Sequence, residues 1–173
     1  MRITPITHTC KQSKLSIQKG VGLIEVLVAL VILSVGLLGI ASLYVTALQA
    51  KTTSLSRMKA VILAQDMADR IRANPSGLNN YALTISTTKT ALPNPDCSTT
   101  TVICSAAQIA LYDKYQWDNM IYDTTRGMNL PGLVSRSITV TAATSTTPAT
   151  VTIDLIWQEK NSGDLTYTLQ IQV

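Results

Sequence analysis

From residue 21 to 48 the chain reads VGLIEVLVALVILSVGLLGIASLYVTAL, apolar apart from Glu25 and a few hydroxyl residues. That is more than the roughly 20 residues needed to cross a bilayer. After Gln49 a mixed pattern takes over. Apolar or small residues at Leu55, Met58, Val61, Ile62, Ala64, Ala68 and Ile71 step mainly by three and four, as one buried helical stripe does. Lys51, Arg57, Lys59, Asp66, Asp69, Arg70 and Arg72 fill much of the remainder, and the two last arginines suit a helix C-terminus. Asn74-Pro75-Ser76-Gly77 supplies the stop. The pattern predicts one helix over about residues 22–73, roughly 78 Å long at 1.5 Å per residue.

Past this stop the helical signal fades. Residues 76–133 show no clear periodicity, and Pro93, Pro95 and the threonines beside Asp96 and Cys97 predict loop. A short amphipathic helix is expected from about Ser105 to Asn119, packing Ala107, Leu111, Tyr115 and Trp117. SITVTA (137–142), TVTIDLIWQ (150–158) and LTYTLQIQV (165–173) alternate threonine with aliphatic residues and predict strands. Ser145-Thr146-Thr147-Pro148 and Asn161-Ser162-Gly163-Asp164 predict the turns between them. An α+β fold follows, with a long N-terminal helix against one C-terminal antiparallel sheet.

Charge sharpens this picture. The chain has 173 residues, enough for one domain and an appendage. Its formal charge is +4, yet Arg2, Lys11, Lys14 and Lys19 all fall in the first twenty residues, where no acid occurs. The remainder balances ten basic against ten acidic residues, so the body offers no basic surface for nucleic acid. Cations placed before an apolar run predict a cytoplasmic N-terminus and an exported body. His8 is the only histidine and lies in the leader. That excludes triads, histidine general bases and mixed His/Cys zinc sites from the body. No catalytic residue, metal, cofactor or small-molecule substrate is expected. Asp113, Asp118 and Asp123 recur every five residues, which scatters them around a helix, and solvated charge is the expectation for all three. Cys97 and Cys104 remain once Cys10 is set aside with the leader. In an oxidising compartment they are expected to pair as a disulfide that pins a short loop; the alternative is two inert thiols.

Three fates are open for the apolar run on this basis: a secretory signal cut after Gly39-Ile40-Ala41, an uncleaved anchor, or cleavage before the run at Gly20. Lys19-Gly20 directly before it and an acid five positions into it bear on the choice. KGVGLIEVLVALVILSVGLLGIASL resembles the class III signal of type IV prepilins. The resemblance implies cleavage by prepilin peptidase between Gly20 and Val21, N-methylation at Val21, and Glu25 as an assembly carboxylate that pairs with a neighbouring subunit's amino terminus. Many pilins have Phe-Thr at the first two mature positions, where this chain has Val21-Gly22.

AVILAQDMADRIRAN (60–74) narrows the resemblance to the PilV family of minor pilins, the type IV pilus modification proteins. It covers residues 19–74 strongly, is looser through Cys97, Cys104, Trp117 and Leu130-Pro131-Gly132, and is thematic in the strands. It implies a basic leader (1–20, removed), a transmembrane and filament-core half-helix (21–48), an amphipathic half-helix packed on the body (49–74) and a periplasmic globular domain (75–173). It further implies a role in pilus priming and assembly that supports twitching motility and adhesion. Implied partners are prepilin peptidase, other minor pilins and the major pilin through the N-terminal helix, and the inner membrane before assembly. A minor pseudopilin of type II secretion shares signal and fold. The reading from a different class is a secreted or signal-anchored periplasmic binding domain, whose mature chain would begin near Ser42.

Overall fold

A computed structural model describes residues 20, 22–99, 101–125, 128–159 and 163–173. The basic leader up to Lys19, Val21 and the turn residues Asn161 and Ser162 lie outside the described residues. Helix α1 spans Leu23–Ala73, without a proline and with Glu25 in its first turn, where the helix dipole stabilises an anion by about 0.3–1 kcal/mol. By contacts the chain divides between Thr46 and Ala47 into two compact units, so α1 contributes a segment to each. In the first unit every described residue is exposed, including Leu23, Ile32, Leu38 and Leu43.

The second unit is an α+β domain. After α1 come a 3-10 segment at Pro75–Tyr81, strand β1 (Leu83–Ser86), helix α2 (Ala106–Tyr122), and strands β2 (Leu133–Thr141), β3 (Thr150–Glu159) and β4 (Gly163–Gln172). The four strands form one antiparallel sheet in the order β1-β2-β3-β4. Threonine–aliphatic alternation is what makes β3 a strand with one wet and one dry face: Val151, Ile153, Leu155 and Trp157 point into the core, and Thr152, Asp154 and Ile156 point away. Gly132 precedes β2 at φ +73°, and a Cβ there would collide with the Gln158 carbonyl, so glycine is required at this turn.

One core joins α1, α2 and the sheet through Leu63, Met67, Ile71, Trp117, Ile121, Ile138, Ile153 and Leu155, among others. The buried stripe of α1 is Ala60, Leu63, Ala64, Met67, Ala68 and Ile71; Ala64, Ala68 and Ile71 were expected, and the rest corrects the expectation. Leu55, Met58 and Ile62 are exposed. Small alanines let the helix lie close to its neighbours while Leu63, Met67 and Ile71 fill the core. The α2 face is likewise rotated. Ala110, Lys114, Trp117, Asp118 and Ile121 are buried and Leu111 is exposed. The helix also runs three residues beyond the expected Asn119. Ser105 is its N-cap, in a capping box with Gln108, which satisfies two otherwise unpaired first-turn donors. Strand β1 had no counterpart among the expectations, because four residues bounded by loop give too short an alternation to detect.

Candidate functional site

The N-terminal segment of α1 is the first candidate. Gly20 is exposed with open space around it; Val21, its partner across the expected scissile bond, lies outside the described residues. Glu25 begins the helix, its N–H donating to the Gly22 carbonyl at 2.9 Å. Its carboxylate is exposed, with no hydrogen bond or ion pair to the described residues. At four-residue steps it shares a face with Ala29 and Leu33, and these line one shallow groove with Val26 and Leu30. No other residue is charged from Leu23 to Ala50, and this helix is long and apolar enough to cross a membrane.

Chemistry in the body is structural in character. Cys97 and Cys104 form a disulfide with Cα atoms 6.0 Å apart. Cys104 directly precedes the Ser105 cap, so the bond fastens the 97–104 loop to the start of α2. The three aspartates do not behave alike, which corrects the expectation of solvated charge. Asp118 is fully buried and accepts a two-pronged pair from the Arg136 guanidinium, both side chains being 0% exposed. Asp118 also accepts the Thr90 N–H at 2.6 Å. Arg136 in turn donates to the carbonyls of Ser86 and Thr88 at 3.1 and 2.8 Å and to the Tyr122 hydroxyl at 3.1 Å. Each charge is thus surrounded by partners, the condition under which a buried pair is tolerable. The cluster ties α2, β2 and the segment after β1 together.

Asp113 belongs to a second cluster. Arg70 reaches Asp66 at 2.7 Å, Asp113 at 3.1 Å and Gln116 at 3.0 Å, locking the end of α1 to α2. Burial alone would lower the Arg70 guanidinium, but hydrogen bonds and charge from Asp66 and Asp113 hold it above its ordinary value. The Tyr81 hydroxyl donates to Asp113 at 2.6 Å; burial first, then that carboxylate, push the phenol well above its ordinary value. Lys114 donates to the Ala82 carbonyl at 3.2 Å, and burial lowers its ammonium, partly opposed by Asp118. Asp123 caps the C-terminus of α2 and accepts from Thr125.

Arg136 was not singled out from the sequence, since the expected strand began at Ser137. The signal was there: Arg136, Ile138 and Val140 share one strand parity, and an arginine on the apolar parity demands a buried acid. Trp117 held a comparable surprise, its indole donating to the Leu63 carbonyl at 2.8 Å inside the core. Among the described residues no cluster of three or more His, Cys, Asp or Glu could hold a metal ion.

An exposed apolar N-terminal helix with one carboxylate in its first turn, in a chain that also forms a four-stranded antiparallel sheet, is consistent with the type IV pilin fold. Family models match two stretches of the chain. The Prokaryotic N-terminal methylation motif matches residues 15–41, and the family of Type IV pilin Tt1218 matches residues 42–115. Over those stretches the chain is similar to type IV pilin Tt1218 and to the N-terminal methylation motif. Comparison with curated proteins and with solved structures finds no match.

Proposed function

We propose that this chain is a minor type IV pilin of the PilV kind, which joins other minor pilins in a complex that primes pilus assembly. Support comes above all from one observation: a helix exposed and apolar from Leu23 to Leu48 whose single charge is Glu25. Each such side chain is stabilised by about 1.5–3 kcal/mol when fully buried rather than left in water. Extraction into water is therefore prohibitive, while transfer from lipid into a bundle of similar helices is nearly neutral. A charge within lipid is costly, so Glu25 gains a partner only when a neighbouring subunit brings a cationic amino terminus beside it. Prepilin peptidase creates that terminus by cutting after Gly20, and methylation follows at Val21. Before assembly the chain spans the inner membrane with its N-terminus cytoplasmic and residues 75–173 periplasmic. Afterwards it resides in the pilus, contacting other minor pilins and the major pilin through the helix.

The mass of the mature N-terminal peptide tests the reading. N-methyl-Val21 is the expected first residue. A start near Ser42 would instead identify a conventional secreted domain. Loss of pili in a deletion strain is expected, and loss of secreted enzymes with normal pili would identify a pseudopilin of type II secretion.

A further inference from the structure

Helix α2 carries a second stripe beside its core face. Tyr112, Tyr115, Gln116, Asn119 and Asp123 recur at steps of three and four, and all five are half-buried. They line a cleft of about 700 Å³, within the range of roughly 300–1,000 Å³ usual for ligand sites. Lys89, Leu92, Asp96 and Ser98, from the segment between β1 and α2, supply another wall.

That wall is fixed at both ends. Near its start Arg136 donates to the Thr88 carbonyl at 2.8 Å, and the Thr90 N–H donates to Asp118 at 2.6 Å. Near its end the Cys97–Cys104 disulfide fastens it beside the Ser105 cap of α2. A cleft held in this way leaves little ordering entropy to be lost on binding.

The lining selects a class of ligand. Arg70 and Lys89 balance Asp96 and Asp123, and Arg70 is already engaged by Asp66 and Asp113. A phosphate or other strongly charged group therefore meets no net field. Only Leu92 and Met120 of the lining lack a side-chain N or O, so an acyl chain finds little apolar wall. Peptides ordinarily dock on a sheet edge or in an apolar groove, and this cleft is neither. The Tyr112 and Tyr115 hydroxyls and the Asn119 amide make no hydrogen bond to the described residues. Phenol and amide both donate and accept, as the hydroxyls of a sugar do. The two tyrosine rings, with centroids 6.0 Å apart and a tilt of 40°, add apolar faces with polar tips. A pyranose matches them, with a C–H face to lay on a ring and hydroxyls at its rim. We propose that this cleft binds an uncharged oligosaccharide. The inference goes beyond the pilin reading and does not depend on it.

The test is calorimetric titration of the full-length chain, solubilised in a detergent without a sugar headgroup. The probes are chitotriose, maltotriose, mannotriose and N-acetyllactosamine, with sialyllactose, inorganic phosphate and trialanine as controls. At least one neutral probe should bind with a Kd of about 1 mM or tighter. Tyr115→Ala and Asn119→Ala should each weaken that binding about tenfold or more, whereas Tyr115→Phe, which keeps the ring, should weaken it less than Tyr115→Ala. Tyr167→Ala, on β4 and outside the cleft, should leave it unchanged. Denaturant unfolding shows that each variant is folded, and Asn119→Ala removes a side chain with no described partner should Tyr115→Ala not fold. Failure of every neutral probe overturns the inference, as does unaltered binding by folded Tyr115→Ala or Asn119→Ala. Tighter binding of a control overturns the choice of an uncharged sugar. None of these outcomes touches the pilin reading, which stands or falls on the mature N-terminus.

Discussion

Two segments of one helix, residues 23–46 and 47–73, obey opposite rules. In the first, large aliphatic side chains such as Leu38 and Ile40 are exposed, and nothing among the described residues covers them. In the second, Leu63, Met67 and Ile71 are fully buried and charges on the flanks find partners. Backbone conformation is the same in both; only the available neighbours differ. Apolar surface left uncovered by the chain's own fold is surface kept for lipid or for other chains. A helix can therefore be half buried core and half exposed apolar surface without changing its geometry.

The largest effect on the body should come from Asp118→Ala, which strands Arg136 in the core. A loss of about 3–5 kcal/mol is expected in denaturant unfolding of the full chain in detergent. Asp118→Ala/Arg136→Met should recover much of it, because neither charge is then left alone. The contrast between the helix segments is broken or upheld by one substitution made twice. Leu63→Ala should cost about 2–5 kcal/mol through its cavity, whereas Leu38→Ala should leave body stability within about 0.5 kcal/mol. Equal losses would mean that the exposed segment has a covering partner within the chain.

Removing the disulfide with Cys97→Ser/Cys104→Ser should cost about 2 kcal/mol, at the low end because the closed loop is short. Faster proteolysis within residues 97–104 should accompany it. Glu25→Ala addresses the other region: folding of the body should be unchanged within about 0.5 kcal/mol, while incorporation into sheared pili drops. Normal incorporation would remove the pairing role.

The smallest effect concerns pH. Tyr81 holds its proton more tightly folded than unfolded. Its contribution is therefore complete below the unfolded value of about 10 and declines as pH rises from there towards the folded value. Lys114 is shifted the other way and gains stability up to its unfolded value of about 10.4, so it partly masks the decline. Tyr81→Phe should flatten the alkaline loss in thermal melts taken from pH 9 to 11.

Much of the architecture was legible in the chain. The apolar run, the stop at Asn74-Pro75 and the alternation of β3 and β4 are local patterns, and each maps onto an element within a few residues. The candidate N-terminal site was legible too, since glycine, acid and apolar run lie within a few turns of one another. What escaped detection depended on distant partners. Asp118 looked like one of three evenly spaced surface acids until Arg136, eighteen residues away, was brought onto it by β2. Likewise the expected stripe on α1 contained Ala64, Ala68 and Ile71 but took Leu55, Met58 and Ile62 where packing chose Ala60, Leu63 and Met67.

Sequence alone determined that an apolar helix with a single early carboxylate precedes a threonine-patterned sheet, because hydropathy and periodicity are written in neighbouring residues. Tertiary structure alone decided which face of each helix is dry, which aspartate is buried and which strands end the sheet. Those outcomes depend on which distant groups arrive to satisfy a charge, fill a gap or complete a ladder, and no local pattern specifies an arrival.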